Sequence, residues 1–283
     1  MKAHANREIK DKSEKMKDYN VEHWTDRTEL LLGKDKMQRL RDAHVLVVGV
    51  GGVGAYAAEM LCRAGVGEMT LIDADTVQPT NINRQLPATH STIGQPKVEV
   101  LAERFRDINP DIKVHALPIY LTEELKIENS ELKINTPKGN TPHEVTKNAQ
   151  FSIFNFQFDF IVDAIDTIAP KCALIAEAMH RSIPIVSSMG AGAKSDITQI
   201  RFADIWDTYH CGLAKAVRTR LKKEGLRRSL PVVFSTEQAD RNAIITVEGE
   251  QNKKSTTGTI SYMPAVFGCY LAEYVIREIT MNG

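Results

Sequence analysis

The segment GVGGVG (49–54) lies between an apolar run, HVLVVGV (44–50), and AYAAEMLCRAGV (55–66), whose apolar residues recur at helical spacing. A glycine-rich turn joining a buried strand to a helix confines the fold to α/β architectures, in which strand ends and helix N-termini share one edge of a sheet. Gly49, Gly51 and Gly54, with Gly52 among them, let the backbone turn tightly and approach a phosphate. The helix N-terminus stabilises such a charge by about 0.3–1 kcal/mol when exposed. Asp73 ends the next strand, MTLID (69–73), 19 residues after Gly54. A carboxylate at that distance commonly accepts hydrogen bonds from ribose hydroxyls. Taken alone, the pattern signals a bound adenine nucleotide, with NAD the usual occupant. Glycines that serve only a tight turn are the plainer alternative.

The rest of the chain continues the alternation. KVEVLAERFRDI (97–108) reads as a helix, KVHAL (113–117) as a strand and FDFIVDAID (158–166) as another. A helix over 170–181 and the strands IPIVSS (183–188) and TQIRF (198–202) come next. This order predicts a doubly wound, mostly parallel sheet with helices on both faces and a C-terminal α/β extension. Residues 1–26 read as a polar N-terminal arm and 27–283 as a single domain. That domain carries an insertion at 122–157, rich in Ser, Asn, Thr, Pro and Lys, and a polar loop at 249–258. The run ISYMPAVFGCYLAEYVIREI (260–279) carries Glu273, Arg277 and Glu278, so a buried terminal helix is expected rather than a membrane anchor.

Composition removes several classes. With 42% hydrophobic and 25% charged residues, the chain is neither disordered nor fibrous. Lys plus Arg (36) balances Asp plus Glu (36), so any affinity for nucleic acid must arise from a local patch. The cysteines at 62, 172, 211 and 269 form no CxxC pair, which argues against a disulfide framework or a four-cysteine zinc site. No signal-peptide pattern and no run of about 18 apolar residues is present, so a cytoplasmic protein without membrane association is expected.

The residues downstream of Asp73 argue against a dehydrogenase. NINRQ (81–85) and GQPK (94–97) place Asn81, Arg84, Gln85 and Lys97 soon after Asp73 and Asp75. Two fixed cations and an amide suit a triphosphate better than a pyrophosphate bridging two nucleosides, Arg as a bidentate fork and Lys as a mobile point charge. Both could instead be ordinary surface charges. Asp166, at the carboxyl end of the fourth strand, could hold magnesium against phosphates or simply cap the next helix.

Together, RTELLLG (27–33), GVGGVG, LIDADTVQPTNINRQ (71–85), GQPKVEV (94–100), INPDIKV (108–114) and VDAIDT (162–167) resemble the adenylating domain of the superfamily that contains ubiquitin-activating enzymes and bacterial sulfur-carrier adenylyltransferases. The resemblance implies cleavage of ATP between its α- and β-phosphates to activate a carboxylate as an acyl-adenylate. It assigns the ribose to Asp73, phosphates to Asn81, Arg84 and Lys97, and magnesium to Asp166. Arg27 resembles the arginine that reaches into the partner's site in family homodimers, which implies a homodimer. Attack of the carboxylate on phosphorus gathers negative charge, so prepositioned cations supply much of the acceleration.

The second half bears on which carboxylate is activated. The two CxxC zinc pairs common in sulfur-carrier adenylyltransferases are missing. GAGAKSDITQIRFADI (190–205), the basic stretch after it and VVFSTE (232–237) resemble the tRNA threonylcarbamoyladenosine dehydratase subfamily. Independently, LAKAVRTRLKKEGLRRS (213–229) carries Lys215, Arg218, Arg220, Lys222, Lys223, Arg227 and Arg228 against the single acid Glu224. Leu213, Val217 and Leu221 recur every four residues, so a helix could pack that face and turn the cations toward a phosphate backbone. A solvated helix is the bland alternative. The resemblance implies ATP-dependent cyclisation of threonylcarbamoyladenosine in tRNA, within a basic region at about 205–260. It also raises a cysteine-desulfurase or sulfur-acceptor partner. Some relatives have a cysteine just before FSTE, where this chain has Val232 and Val233, and Cys211 beside His210 reads as incidental. Activation of the C-terminal glycine of a ubiquitin-like sulfur carrier is the competing reading. An NAD-dependent oxidoreductase fits only the glycine loop and Asp73, and a non-catalytic tRNA-binding scaffold is the remaining alternative.

Overall fold

The computed structural model describes residues 22–121, 156–246 and 255–281. Two short helices, α1 (Asp26–Leu32) and α2 (Lys34–Asp42), precede the sheet. Then come β1 (His44–Val48), α3 (Gly54–Ala64), β2 (Glu68–Ile72), α4 (Lys97–Ile108) and β3 (Lys113–Leu117). The second half contributes β4 (Phe160–Asp163), α5 (Ile168–Arg181), β5 (Ile185–Ser188), β6 (Ile200–Asp204), α6 (Gly212–Lys223) and β7 (Pro231–Ser235). A two-stranded ribbon, β8 (Ile244–Thr246) and β9 (Ser255–Thr257), leads into α7 (Tyr262–Met281).

The sheet runs β3-β2-β1-β4-β5-β7-β6, parallel except for the β6–β7 pair. Alternation along β1 divides the core. Val45 and Val47 pack with α3, α4 and α7, whereas Leu46 and Val48 pack with α5 and α6. Helices therefore cover both faces, as expected. The winding reverses between β1 and β4, where Val48 pairs with Asp163 and the strands diverge into separate loops. That divergence opens the crevice in which doubly wound sheets bind ligands.

Two glycines fix local geometry. Gly49 has φ +84, and a Cβ there would lie 2.8 Å from the Ala164 carbonyl oxygen. Gly268 brings α7 onto α3, since a Cβ would meet the Val53 oxygen at 2.5 Å.

The strand expected over 158–166 is shorter: β4 stops at Asp163, and residues 164–167 leave the sheet. The physical reason is Asp163 itself. Its carboxylate is wholly buried, accepting from Ser187 Oγ (2.6 Å) and the Ile165 amide (3.1 Å), which folds the following backbone back over it. The strand expected at 198–202 is shifted, because Asp196 caps a single 3-10 turn over 197–199 through the Thr198 amide. Most of the N-terminal arm and of the insertion at 122–157 lies outside the described residues. Of the polar loop at 249–258, residues 255–257 form β9. No helix among the described residues is long and apolar enough to cross a membrane.

Candidate active site

The glycine loop, the end of β2 and the 164–167 loop meet at the switch point. Gly54 opens α3 so close to Gly49 that a Cβ would sit 1.8 Å from the Gly49 oxygen, so the turn admits no side chain. Asp73 lies just beyond β2. Its Oδ2 accepts the Val50 amide at 2.8 Å and its Oδ1 the Asp75 amide at 2.9 Å. Burial pushes the Asp73 carboxyl above its ordinary range, while Lys97 and the two amides oppose that shift.

Lys97 opens α4 with its side chain almost fully covered, and its ammonium reaches Asp75 Oδ2 at 2.7 Å. Asp75 is more than half exposed, so this pair sits at the rim of the crevice. Asn81 is buried. Its Oδ1 accepts the Gln78 amide (3.0 Å), and its carbonyl accepts the amides of Arg84 (3.0 Å) and Gln85 (2.9 Å). In this geometry Asn81 shapes the turn that presents both residues.

Arg84 Nη1 donates to the Thr80 carbonyl and to Asn83 Oδ1. Burial pulls its pKa below the usual arginine value, and the Asp166 carboxylate opposes that shift. Gln85 lies over Gly51, where a Cβ would be 3.6 Å from Nε2, and its Oε1 is buried with no hydrogen-bond partner. Such an acceptor is suited to a donor such as a ribose hydroxyl or an adenine amino group. The donor set therefore fits an adenine nucleotide: a glycine cradle, a carboxylate just past β2, an unsatisfied amide oxygen and two cations. A single carboxylate, Asp166, together with phosphate oxygens also fits magnesium.

Sequence reasoning missed the residue that supports this loop. Lys171, inside α5, is completely buried and places its ammonium 2.8 Å from Asp163 Oδ2 and 3.0 Å from the Ile165 carbonyl. It thereby ties β4 to the residue before Asp166. A lysine within the apolar stretch KCALIA (171–176) is the only signal.

A second constellation lies beyond β5 and β7. Lys194 is buried and donates to the Ser235 carbonyl at 2.8 Å, and burial lowers its pKa against the pull of Cys211 and Glu237. Glu237 accepts the amides of Ser195 and Asp196, and Thr236 Oγ1 is 3.0 Å from Gln199 Oε1. The FSTE motif thus clamps the 190–199 loop. Ala193 (φ 56) and His210 (φ 53) hold left-handed conformations unfavourable for residues with side chains, both beside this clamp. Cys211 is buried as the N-cap of α6, its Sγ 3.5 Å from the Ala214 amide.

The other expected residues stand apart. Arg27 is exposed on α1, and Thr25, two residues before it, packs beside Gly65 at the far end of α3 from the glycine loop. On α6, Val217 and Leu221 are buried and Leu213 is half-buried against the same core, in keeping with the four-residue spacing. Lys215, Lys222, Lys223 and Arg227 are exposed, and Arg220 pairs with Glu224 at 3.1 Å. Arg218 turns inward to the Ile205 carbonyl and Thr208 Oγ1, and Arg228 donates to the Met179 carbonyl at 2.6 Å.

The chain resembles known proteins over most of its length. The chain is 38% identical over 264 residues to the tRNA threonylcarbamoyladenosine dehydratase of Bacillus subtilis, covering 91% of this chain and 94% of that protein. The crystal structure of the Escherichia coli tRNA N6-threonylcarbamoyladenosine dehydratase in complex with ATP superposes with a TM-score of 0.74 at 32% identity, covering 90% of this chain and 93% of that one. The molybdopterin-synthase adenylyltransferase of E. coli is 29% identical over 177 residues, covering 62% of this chain and 61% of that protein. The ThiF family matches residues 25–283, and the chain belongs to that family.

Proposed function

We propose that the chain is an ATP-dependent tRNA threonylcarbamoyladenosine dehydratase, which closes the threonylcarbamoyl side chain of the modified base into a ring. The observation that carries this reading is the placement of Asp73, Gln85 and Arg84 against the glycine loop, in a chain resembling the B. subtilis dehydratase nearly end to end. The sulfur-carrier adenylyltransferase resembles it over a shorter span, which disfavours that alternative.

ATP enters as a substrate, its ribose toward Asp73 and Gln85 and its phosphates over the N-terminus of α3, with Arg84 and Lys97 against their oxygens. Asp166 would hold magnesium, whose charge helps neutralise the phosphates. An oxygen of the threonine carboxylate attacks the α-phosphorus. The new P–O bond forms as the α–β bond breaks and pyrophosphate leaves. A carbamoyl atom then attacks the activated carbonyl carbon, loses its proton and expels AMP with the former carboxylate oxygen. The nucleophile belongs to the same molecule, so proximity assists closure and no enzyme thiol is required. This agrees with the burial of Cys211 and with Val232 and Val233 occupying β7. A cysteine-desulfurase or sulfur-acceptor partner is not needed for this step.

The exposed cations Lys215, Lys222, Lys223 and Arg227, with Arg220, would meet the tRNA backbone. Leu30 and Leu31, 54% and 82% exposed on α1, support a homodimer through that helix, carrying Arg27 to the partner's site. Action on tRNA supports a cytoplasmic location.

Nucleoside mass spectrometry of threonylcarbamoylated tRNA incubated with the protein, ATP and magnesium tests the reading. Loss of one water from the modified nucleoside, abolished in Arg84→Ala and Asp166→Ala, is the expected result. Retention of that water while ATP still binds would overturn it.

A further inference from the structure

Away from the nucleotide crevice, at the opposite edge of the sheet, three side chains converge from three adjacent strands. His44 begins β1, Glu68 begins β2 directly beside it in the register, and His115 lies two residues into β3. Glu68 Oε1 is 2.8 Å from His115 Nε2 and 3.7 Å from His44 Nδ1, and one donor atom from each residue lies within 4.8 Å of the others. We propose that His44, Glu68 and His115 form a binding site for a divalent transition metal, zinc by donor type, that joins the first three strands.

Four features support it. Two imidazoles and a carboxylate suit zinc and its neighbours, not magnesium or calcium, which prefer all-oxygen sites. Around a tetrahedral zinc, N and O ligands lie about 3.3–3.5 Å apart. The 2.8 and 3.7 Å from Glu68 to the two histidines bracket that spacing, and all three donor atoms lie within 4.8 Å of one another. The third feature concerns orientation. His44 Nε2 hydrogen-bonds the buried Thr70 hydroxyl at 2.9 Å, leaving Nδ1 facing Glu68. Anchoring of the non-ligating nitrogen is the usual support of a metal-bound histidine. Lastly, the site is sheltered but reachable: the side chains of His44, Glu68 and His115 are 12%, 27% and 23% exposed, with the Phe158 ring 4.8 Å from that of His44. Lys113, 3.7 Å from Glu68 Oε2, is mostly exposed and free to swing outward.

A five-residue strand separates this edge from the glycine loop by about 16 Å, too far for the ion to touch the nucleotide. The site's effect falls on stability. It is independent of the proposed tRNA chemistry and is tested without nucleotide or tRNA.

The test is titration of chelator-stripped protein with zinc, and separately with cobalt(II). One saturable equivalent is expected, with the unfolding midpoint raised by about 5 °C at roughly a hundredfold excess of zinc over its Kd. Cobalt should give visible bands of a four-coordinate nitrogen/oxygen site without a thiolate charge-transfer band. His115→Gln and Glu68→Gln, each with an unchanged far-UV circular dichroism spectrum, should abolish that equivalent, and Thr70→Val should weaken it about tenfold. Absence of saturable binding, undiminished binding in both ligand variants, or a thiolate band pointing to a cysteine would overturn the proposal.

Discussion

Asp163 and Lys171 form an ion pair of 2.8 Å in which neither side chain has any exposure to solvent. The same ammonium holds the Ile165 carbonyl, so one buried cation fixes where β4 ends and where Asp166 begins. Removing one partner of such a pair strands the other charge. Lys171→Met should lower the unfolding free energy by about 3–5 kcal/mol in urea titration. Any variant that still folds should lose more turnover than its loss of ATP affinity explains, as single-turnover rates beside ATP titrations would show.

Lys97 has a different context, because its partner Asp75 is more than half exposed. Solvent screens that pair, so Lys97→Met, which keeps the stem's volume, should change stability by no more than about 1 kcal/mol. Its effect on dehydration should be far larger, on the order of 100-fold or more in kcat, as expected for a lost charge against the reacting phosphates. Single-turnover rates beside urea melts would separate the two effects.

The basic residues near α6 divide into two groups. Lys222→Ala, Lys223→Ala and Arg227→Ala should each weaken tRNA binding and reduce the slope of log K against log salt by about 0.7–0.9 per lost phosphate contact. Arg218 and Arg228, bonded to backbone carbonyls, should act on stability instead, by about 1–2 kcal/mol on truncation to alanine. Filter binding across a salt series, paired with thermal melts, checks both halves.

Glu59, nearly buried on α3, accepts from Arg104 through both oxygens and from Arg63. Burial alone would raise its carboxyl pKa, but the two arginines overcome that and hold it below the ordinary 4.5. A carboxyl with a depressed folded pKa contributes stability that is fully present above its unfolded value. That contribution is lost as pH falls through the lower folded value. Glu59→Gln should therefore destabilise the protein at neutral pH by about 1–3 kcal/mol and flatten the dependence of stability on pH below 4.5.

Much of this architecture is readable in one dimension. Helix α4 and strand β3 fall at the expected residues because Asn109-Pro110 ends one apolar period and KVHAL forms a compact run. The places of Gly49, Gly51 and Gly54 in the turn after β1, and of Asp73 just past β2, are likewise readable, since a glycine-rich turn between an apolar run and a helical period fixes where the strand ends. The linear pattern does not convey pairing across the sheet. Asp163 reads as one more strand residue and Lys171 as one more helix cation, and only the approach of α5 to β4 removes both from water. Arg218 and Arg228 read as surface charge for the same reason: the carbonyls they satisfy belong to distant segments.

The sheet order also determines where this chain tolerates change in length. Passing from β3 to β4 means crossing β2 and β1, three inter-strand spacings or about 14 Å. Leu121 and Phe158 anchor the two ends of that crossing in the core, 8% and 5% exposed. Closing a longer loop between fixed ends costs only about 0.6 kcal/mol per doubling of its length. At Gly54 a single added carbon would collide with the Gly49 oxygen. The turn between β1 and α3 is therefore closed to any added side chain, whereas the span from β3 to β4 is limited only by the need to reach across about 14 Å.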